Sequence, residues 1–347
     1  MRAAILRGPD QFALGDVATP TAGAGELVLR VRAATVCGTD IRILRGRKTK
    51  GVRFPSILGH EFAGEIVEVG AGVAGFARGD AVSVNPVAPC RACAYCKAGR
   101  ENVCLNRQAI GYEFDGAFAE YLKVPRVTLE AGNVLHLPQG LAFEAAALAE
   151  PLACCINGQR NAGGVDPGDA VVIVGAGPIG LMHAALAKLA GATTVVMSEP
   201  NESRRAAAEA MGVDRTVDPT SEDLAAVVRR LTGGLGADIV FLAIGVPALA
   251  NAALGLVRKG GRVNLFAGFS TGDMPAIDVN LIHYNEIFVS GASALQRRDY
   301  ETALALIAAG RIDVDRLVTD RYPLAEAVAA LRQAESGGAL KVAITDD

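Results

Sequence analysis

The chain has 347 residues, 51% hydrophobic and 20% charged, with a formal net charge of −3, which is room for two domains with separate cores. That charge exerts no long-range pull on nucleic acid or an anionic membrane, and with no Trp and 5% aromatic residues no base-stacking platform is offered. The opening MRAAILRGPD holds Arg2 but no apolar stretch behind it, so a secretory signal is not expected. Seven cysteines, four of them between Cys90 and Cys104, point to metal rather than disulfides and to a reducing cytoplasm.

The first half reads as β-rich. Segments 26–31, 64–69 and 81–84 are short, rich in Val and Ile, and bounded by Gly, Asp or Pro. From about residue 167 the pattern changes to strand–helix alternation. Strands are predicted at 170–174, 193–198, 239–243, 262–266 and 287–291, and helices at 179–189, 202–211, 221–232 and 248–257. Such alternation predicts an α/β fold with a doubly wound parallel sheet. Residues 171–187 form a nearly unbroken apolar run, interrupted by His183, that approaches the length of a membrane span. Three glycines and Pro178 instead divide it into strand, turn and helix. In the tail, 300–309 and 324–335 read as helical and 341–344 as a closing strand that folds back onto the N-terminal domain.

The segment VVIVGAGPIGL places Gly175, Gly177 and Gly180 directly after an apolar strand and at the start of a helix. In that position the three glycines serve a tight turn, close approach of a pyrophosphate, and helix–strand packing, with free N–H groups of the helix N-terminus facing the phosphates. Pro178, Ile179 and Arg204 complete the expected cofactor-binding set. Glu199, nineteen positions after Gly180, ends the next predicted strand. A carboxylate there bonds ribose hydroxyls and repels the extra phosphate of NADP, so NAD is the expected cofactor.

Cys90, Cys93, Cys96 and Cys104 form C-x2-C-x2-C-x7-C. Four thiolates saturate a tetrahedral zinc and leave no open position, as in a structural site. An iron–sulfur cluster is the rival, but the fourth spacing departs from ferredoxin-type runs and no Pro follows Cys104.

Three further pieces each offer one zinc donor: Cys37-Gly38-Thr39-Asp40, Gly59-His60-Glu61 and Glu150-Pro151. Singly, each is as readily explained by packing or solvation. In this order, with the four-cysteine run between the second and third, they resemble the zinc-containing medium-chain dehydrogenases, especially the sorbitol/iditol and threonine dehydrogenase branches. The resemblance extends through GHEFAGEIVEVG, the EPL run 150–152 and IDVDRLVTDRYPL. It implies a GroES-like catalytic domain of residues 1–152 and 292–347 around an inserted Rossmann domain of 153–291. It also implies a catalytic zinc on Cys37 and His60, completed by Glu61 or Glu150, a structural zinc on the four cysteines, and a dimer or tetramer. Cys154, one helical turn beyond Glu150, is a lesser candidate ligand.

On this reading zinc binds a substrate hydroxyl in the cleft between the domains and stabilises its alkoxide, which gives hydride to NAD while Thr39 relays the proton. Three positions depart from the sorbitol-like pattern: Arg42 replaces a common His, Ile43 an aromatic, and Ala294 an arginine, with Arg297 and Arg298 nearby. Residues 45–50, RGRKTK, carry four positive charges just after the Cys37 motif. They form either a solvated loop or a site for an acidic or phosphorylated sugar derivative. The expected substrate is a polyol, sugar alcohol or cyclitol. The alternatives are a threonine-type amino alcohol, a polyol phosphate, or a zinc-stabilised cofactor-binding protein without turnover.

Overall fold

The computed structural model describes residues 1–269 and 272–346. Internal contacts divide the chain into two compact units, residues 1–153 with 294–347 and residues 154–293. No helix among the described residues is long and apolar enough to cross a membrane.

The first unit is built on the strand Leu27–Thr35, which is buried on both faces over most of its length. The antiparallel strand Glu61–Val69 pairs along one side of it, with Thr35 opposite Glu61. The closing strand Lys341–Thr345 pairs along the other, with Ala343 opposite Thr35. Ala81–Val84, Val134–His136, Val318–Pro323 and Tyr121–Val124 complete the sheet. Leu27, Leu29, Phe62, Ile66, Phe118 and Leu122 fill its core. The strands predicted at 26–31 and 64–69 reach further, to Thr35 and back to Glu61, because these residues pair with each other at the mouth of the ladder. The short helix Gly38–Leu44 and the helices Phe143–Ala147 and Ala149–Asn161 lie in the half that reads as β-rich.

The second unit carries six parallel strands. Across the sheet they run Arg215–Val217, Thr194–Ser198, Ala170–Val174, Ala237–Leu242, Val257–Leu265 and Phe288–Gly291. This is the dinucleotide-fold order, with the reversal beside the first strand. The helix predicted from 221 begins at Leu224, because Asp223 caps it by accepting from the backbone N–H of Ala225 and Ala226 at 2.9 and 3.3 Å. The strand predicted from 262 begins at Val257, through a register shift against its neighbour. Neither Arg215–Val217 nor the helix Val279–Asn285 is evident in the sequence pattern.

Candidate active site

The end of the strand Leu27–Thr35 is where the chemistry collects. Cys37 follows it and precedes the helix Gly38–Leu44. Glu61 stands across from Thr35, and His60 precedes it. Continued by two residues, the register on the other side sets Lys341 beside Cys37. One ligand atom from each of Cys37, His60 and Glu61 lies within 4.8 Å of the others, with His60 and Glu61 buried. A thiol, an imidazole and a carboxylate at that mutual distance could hold a zinc and would leave one tetrahedral position for substrate or water.

Each donor is held by a neighbour. Asp40 Oδ2 accepts from the Cys37 N–H at 2.9 Å, which fixes the start of the helix, and its Oδ1 faces His60 Nδ1 at 3.3 Å. A carboxylate is the usual second partner of a metal-bound imidazole. Tyr112 Oη lies 3.4 Å from Nε2. Glu61 accepts from Thr35 Oγ1 and from Lys341 Nζ, the latter at 2.8 Å. Burial works against charge on Lys341 and on His60. For Lys341 it is outweighed by Glu61, Cys37 and Glu150, which hold the ammonium above its ordinary value. For His60 it is outweighed by Tyr112, Asp40 and Cys37, and its pKa stands well above the usual value. A buried carboxylate beside an imidazole and a thiol is a donor set whose chemistry fits a dication.

Glu150 is not within this set of three, but its charge acts on Tyr112, Tyr300 and Lys341. Thr39 is half-buried in the first turn after Cys37. Asp40 already accepts the bond that caps that turn, so capping does not claim Thr39. Cys154 stands outside both metal-type clusters. Arg297, close to the position where polyol dehydrogenases carry an arginine, gives its guanidinium to Glu301 at 2.8 Å. A pocket of about 500 Å³ lined by Val17, Ser56 and Tyr121 lies elsewhere. Its charges are already matched in the pairs Arg53–Asp115 and Lys123–Glu26.

The four sulfurs of Cys90, Cys93, Cys96 and Cys104 also converge. Cys93 Sγ lies 3.6 Å from Cys96 Sγ and 3.9 Å from Cys104 Sγ. A tetrahedron with Zn–S bonds of about 2.3 Å has edges of about 3.8 Å, so the spacing fits zinc. Backbone N–H groups point at the sulfurs: Cys90 N at Cys104 Sγ, 3.2 Å, and Cys93 N at Cys90 Sγ, 3.4 Å. Backbone donors from Cys96 and Leu105 lower the Cys93 thiol to about 6, whereas burial and the neighbouring Cys104 and Cys93 push Cys96 up to about 12.

In the second unit Gly175 has φ of +103°, as the tight turn requires. A Cβ at Gly180 would stand 1.9 Å from the Gly175 carbonyl oxygen, so strand and helix close only on glycine. A Cβ at Gly177 would meet nothing within 4 Å. Packing does not demand glycine there, whereas an approaching pyrophosphate does. Pro178 opens the helix Pro178–Ala190, with Ile179 behind it. Glu199 is buried and accepts from the Ala176 N–H at 2.9 Å and the Asn201 N–H at 3.0 Å. Its carboxylate braces the glycine turn and keeps acceptor capacity beyond those two bonds. Arg204 lies in the first turn of the next helix, and its backbone N–H donates to Asn201.

Asp40, Tyr112, Thr35 and Lys341 were not singled out by sequence. Only Asp40 left a signal, a carboxylate three residues after Cys37 at a helix start.

Residues 23–138 match the alcohol dehydrogenase GroES-like domain and residues 178–309 the zinc-binding dehydrogenase domain. The chain is 36% identical to a D-arabitol-phosphate dehydrogenase of Enterococcus avium, over 97% of this chain and 94% of that one. It is 36% identical to a sorbitol dehydrogenase of Halalkalibacterium halodurans, over 97% and 96%. A zinc-binding dehydrogenase from Sinorhizobium meliloti 1021, solved bound to NADP, superposes with a TM-score of 0.92 at 34% identity, over 99% and 98%. With both domains in order and relatives along nearly its whole length, the chain belongs to the zinc-containing medium-chain alcohol dehydrogenases, in their polyol and threonine dehydrogenase branch.

Proposed function

We propose that the protein is an NAD-dependent dehydrogenase that oxidises a secondary hydroxyl of a polyol, with Cys37, His60 and Glu61 as the protein ligands of its catalytic zinc. The convergence of those three donor atoms within 4.8 Å carries the reading. When bound, zinc supplies Lewis acidity that favours an alkoxide, and the nicotinamide supplies the hydride acceptor. The chain's own residues hold and orient. Asp40 fixes His60, Thr35 and Lys341 fix Glu61, and Thr39 accepts the hydroxyl proton and passes it on. Glu150 adds negative charge beside the ligand set. The four cysteines hold a second, structural zinc.

Residues 1–152 and 292–347 are assigned to catalysis and 153–291 to cofactor binding. Glu199 favours NAD over NADP, and Arg205, the basic side chain beside it, is spent on the Glu199 and Pro200 carbonyls at 2.9 and 2.6 Å. None of the seven cysteines is paired in a disulfide, which suits a reducing cytoplasm. Phe288–Gly291 is a sheet edge, and Val279, Tyr284 and Phe288 around it are exposed, which supports a homo-oligomer, dimer or tetramer, that covers them. The test is cofactor reduction over polyols, their acids and phosphates, and L-threonine, with NAD and with NADP, alongside zinc content. Two zincs per chain and turnover of a polyol with NAD are expected. Turnover of L-threonine alone, or one zinc without turnover, refutes the reading.

A further inference from the structure

The basic run at residues 45–50 does not behave as one patch. Arg45 is tied to Asp10 at 2.5 Å and to Glu335, and Arg47 and Lys50 are exposed. Lys48 alone turns inwards. Its Nζ stands 4.0 Å from the centre of the Tyr112 ring, whose hydroxyl is 3.4 Å from His60 Nε2. The two contacts put the ammonium within about 10 Å of His60 Nε2.

Lys48 is half-buried, and its ammonium donates to a carbonyl, Lys50 O at 2.9 Å. An ammonium has two further donors. Burial lowers its pKa; Glu113 and Asp40 oppose that, while Arg107 and Arg42 add to it. The two carboxylates already have backbone partners, Glu113 the Ala109 N–H at 2.8 Å and Asp40 the Cys37 N–H at 2.9 Å. The charges of Arg42 and Arg107 thus act on a lysine that lies against the Tyr112 ring. Drawing a lysine in among arginines costs free energy unless an anion joins them.

We infer that Lys48 receives the charged end of the substrate, so that the polyol carries a terminal carboxylate or phosphate. The inference rests on the dehydrogenase reading above and names its substrate class. The bond is charge-assisted, and losing it weakens binding on the order of 10- to 100-fold.

The test compares D-arabitol, D-arabinonate and D-arabitol phosphate on the zinc-loaded enzyme, wild type against Lys48→Gln, Lys48→Arg and Lys50→Gln. Steady-state kinetics and calorimetric binding are both read. One anionic compound is expected to exceed the neutral polyol in kcat/KM for the wild type, and which one it is separates carboxylate from phosphate. Lys48→Gln raises KM and Kd for that compound about 10- to 100-fold, with kcat little changed. Lys48→Arg recovers part of the loss, and Lys50→Gln matches the wild type. Equal efficiency of all three compounds in the wild type overturns the inference. So does a uniform loss across them in Lys48→Gln, which would make Lys48 a brace for Tyr112. If no alcohol is oxidised, the dehydrogenase reading fails by itself, and the calorimetry still decides whether Lys48 holds the anion.

Discussion

His183 gives a stability prediction with a definite sign. It lies on the helix Pro178–Ala190, fully buried, stacked on Phe241 at 4.5 Å and edge-on to Phe266 at 4.7 Å. Neither ring nitrogen has a hydrogen-bond partner among the described residues. Burial lowers its pKa to about 3, against about 6.5 in an unfolded chain. Between those values the unfolded chain holds a proton that the folded chain does not. The stabilisation is therefore complete above about pH 6.5 and is lost as pH falls. At about 1.4 kcal/mol per unit, going from about pH 7.5 to about pH 5 costs about 2 kcal/mol. His183→Leu removes this titration. It forfeits two ring contacts worth roughly 0.5–1.5 kcal/mol each. It also removes unsatisfied buried nitrogens worth roughly 1–3 kcal/mol, so the two proteins should be nearly matched at neutral pH. Near pH 5 the variant should lead by about 2 kcal/mol. Hydrogen exchange of peptides spanning 178–190, followed through a urea series at both pH values, measures the difference. Parallel pH profiles for the two proteins would refute the reasoning.

His60→Ala should lower kcat by roughly a thousandfold or more and reduce zinc from two to one per chain while circular dichroism is unchanged; equal loss of fold would contradict independent metal sites. Cys93→Ser should release the other zinc and make the segment 90–104 sensitive to protease, because that segment has few buried residues of its own; protection equal to wild type would count against a structural metal. Lys341→Met leaves the buried Glu61 carboxylate without its cation and should cost about 3–5 kcal/mol in the zinc-free protein, with part regained on adding zinc. A thermal-melt series with and without metal reads this, and an equal loss in both would show that Glu61 does not face the ion.

The glycine turn and the four cysteines are legible in the chain because their parts lie within a few residues and their spacing alone encodes the geometry. Cys37, His60 and Glu61 have no local spacing that joins them. The sequence could suggest them only through likeness to a family, and it is the pairing of Thr35 with Glu61 that brings them together. Lys341 was invisible as a partner, since it reads as an ordinary strand residue and meets Glu61 across 280 positions. His183 showed as an interruption of an apolar run, yet the pattern could not tell a hydrogen-bonded histidine from one sealed between two phenylalanines. The cationic loop was visible as charge, but only the fold separates the inward Lys48 from its outward neighbours.

The first residue of the strand Lys341–Thr345 is the cation that balances Glu61. The donor cluster thus reaches its final electrostatics only when a strand 280 positions away from Glu61 has docked beside it. Residues 154–293 form a compact unit without that strand and can fold independently of its docking. A molecule in which that strand stays undocked would keep its dinucleotide fold and lose the cation that balances Glu61.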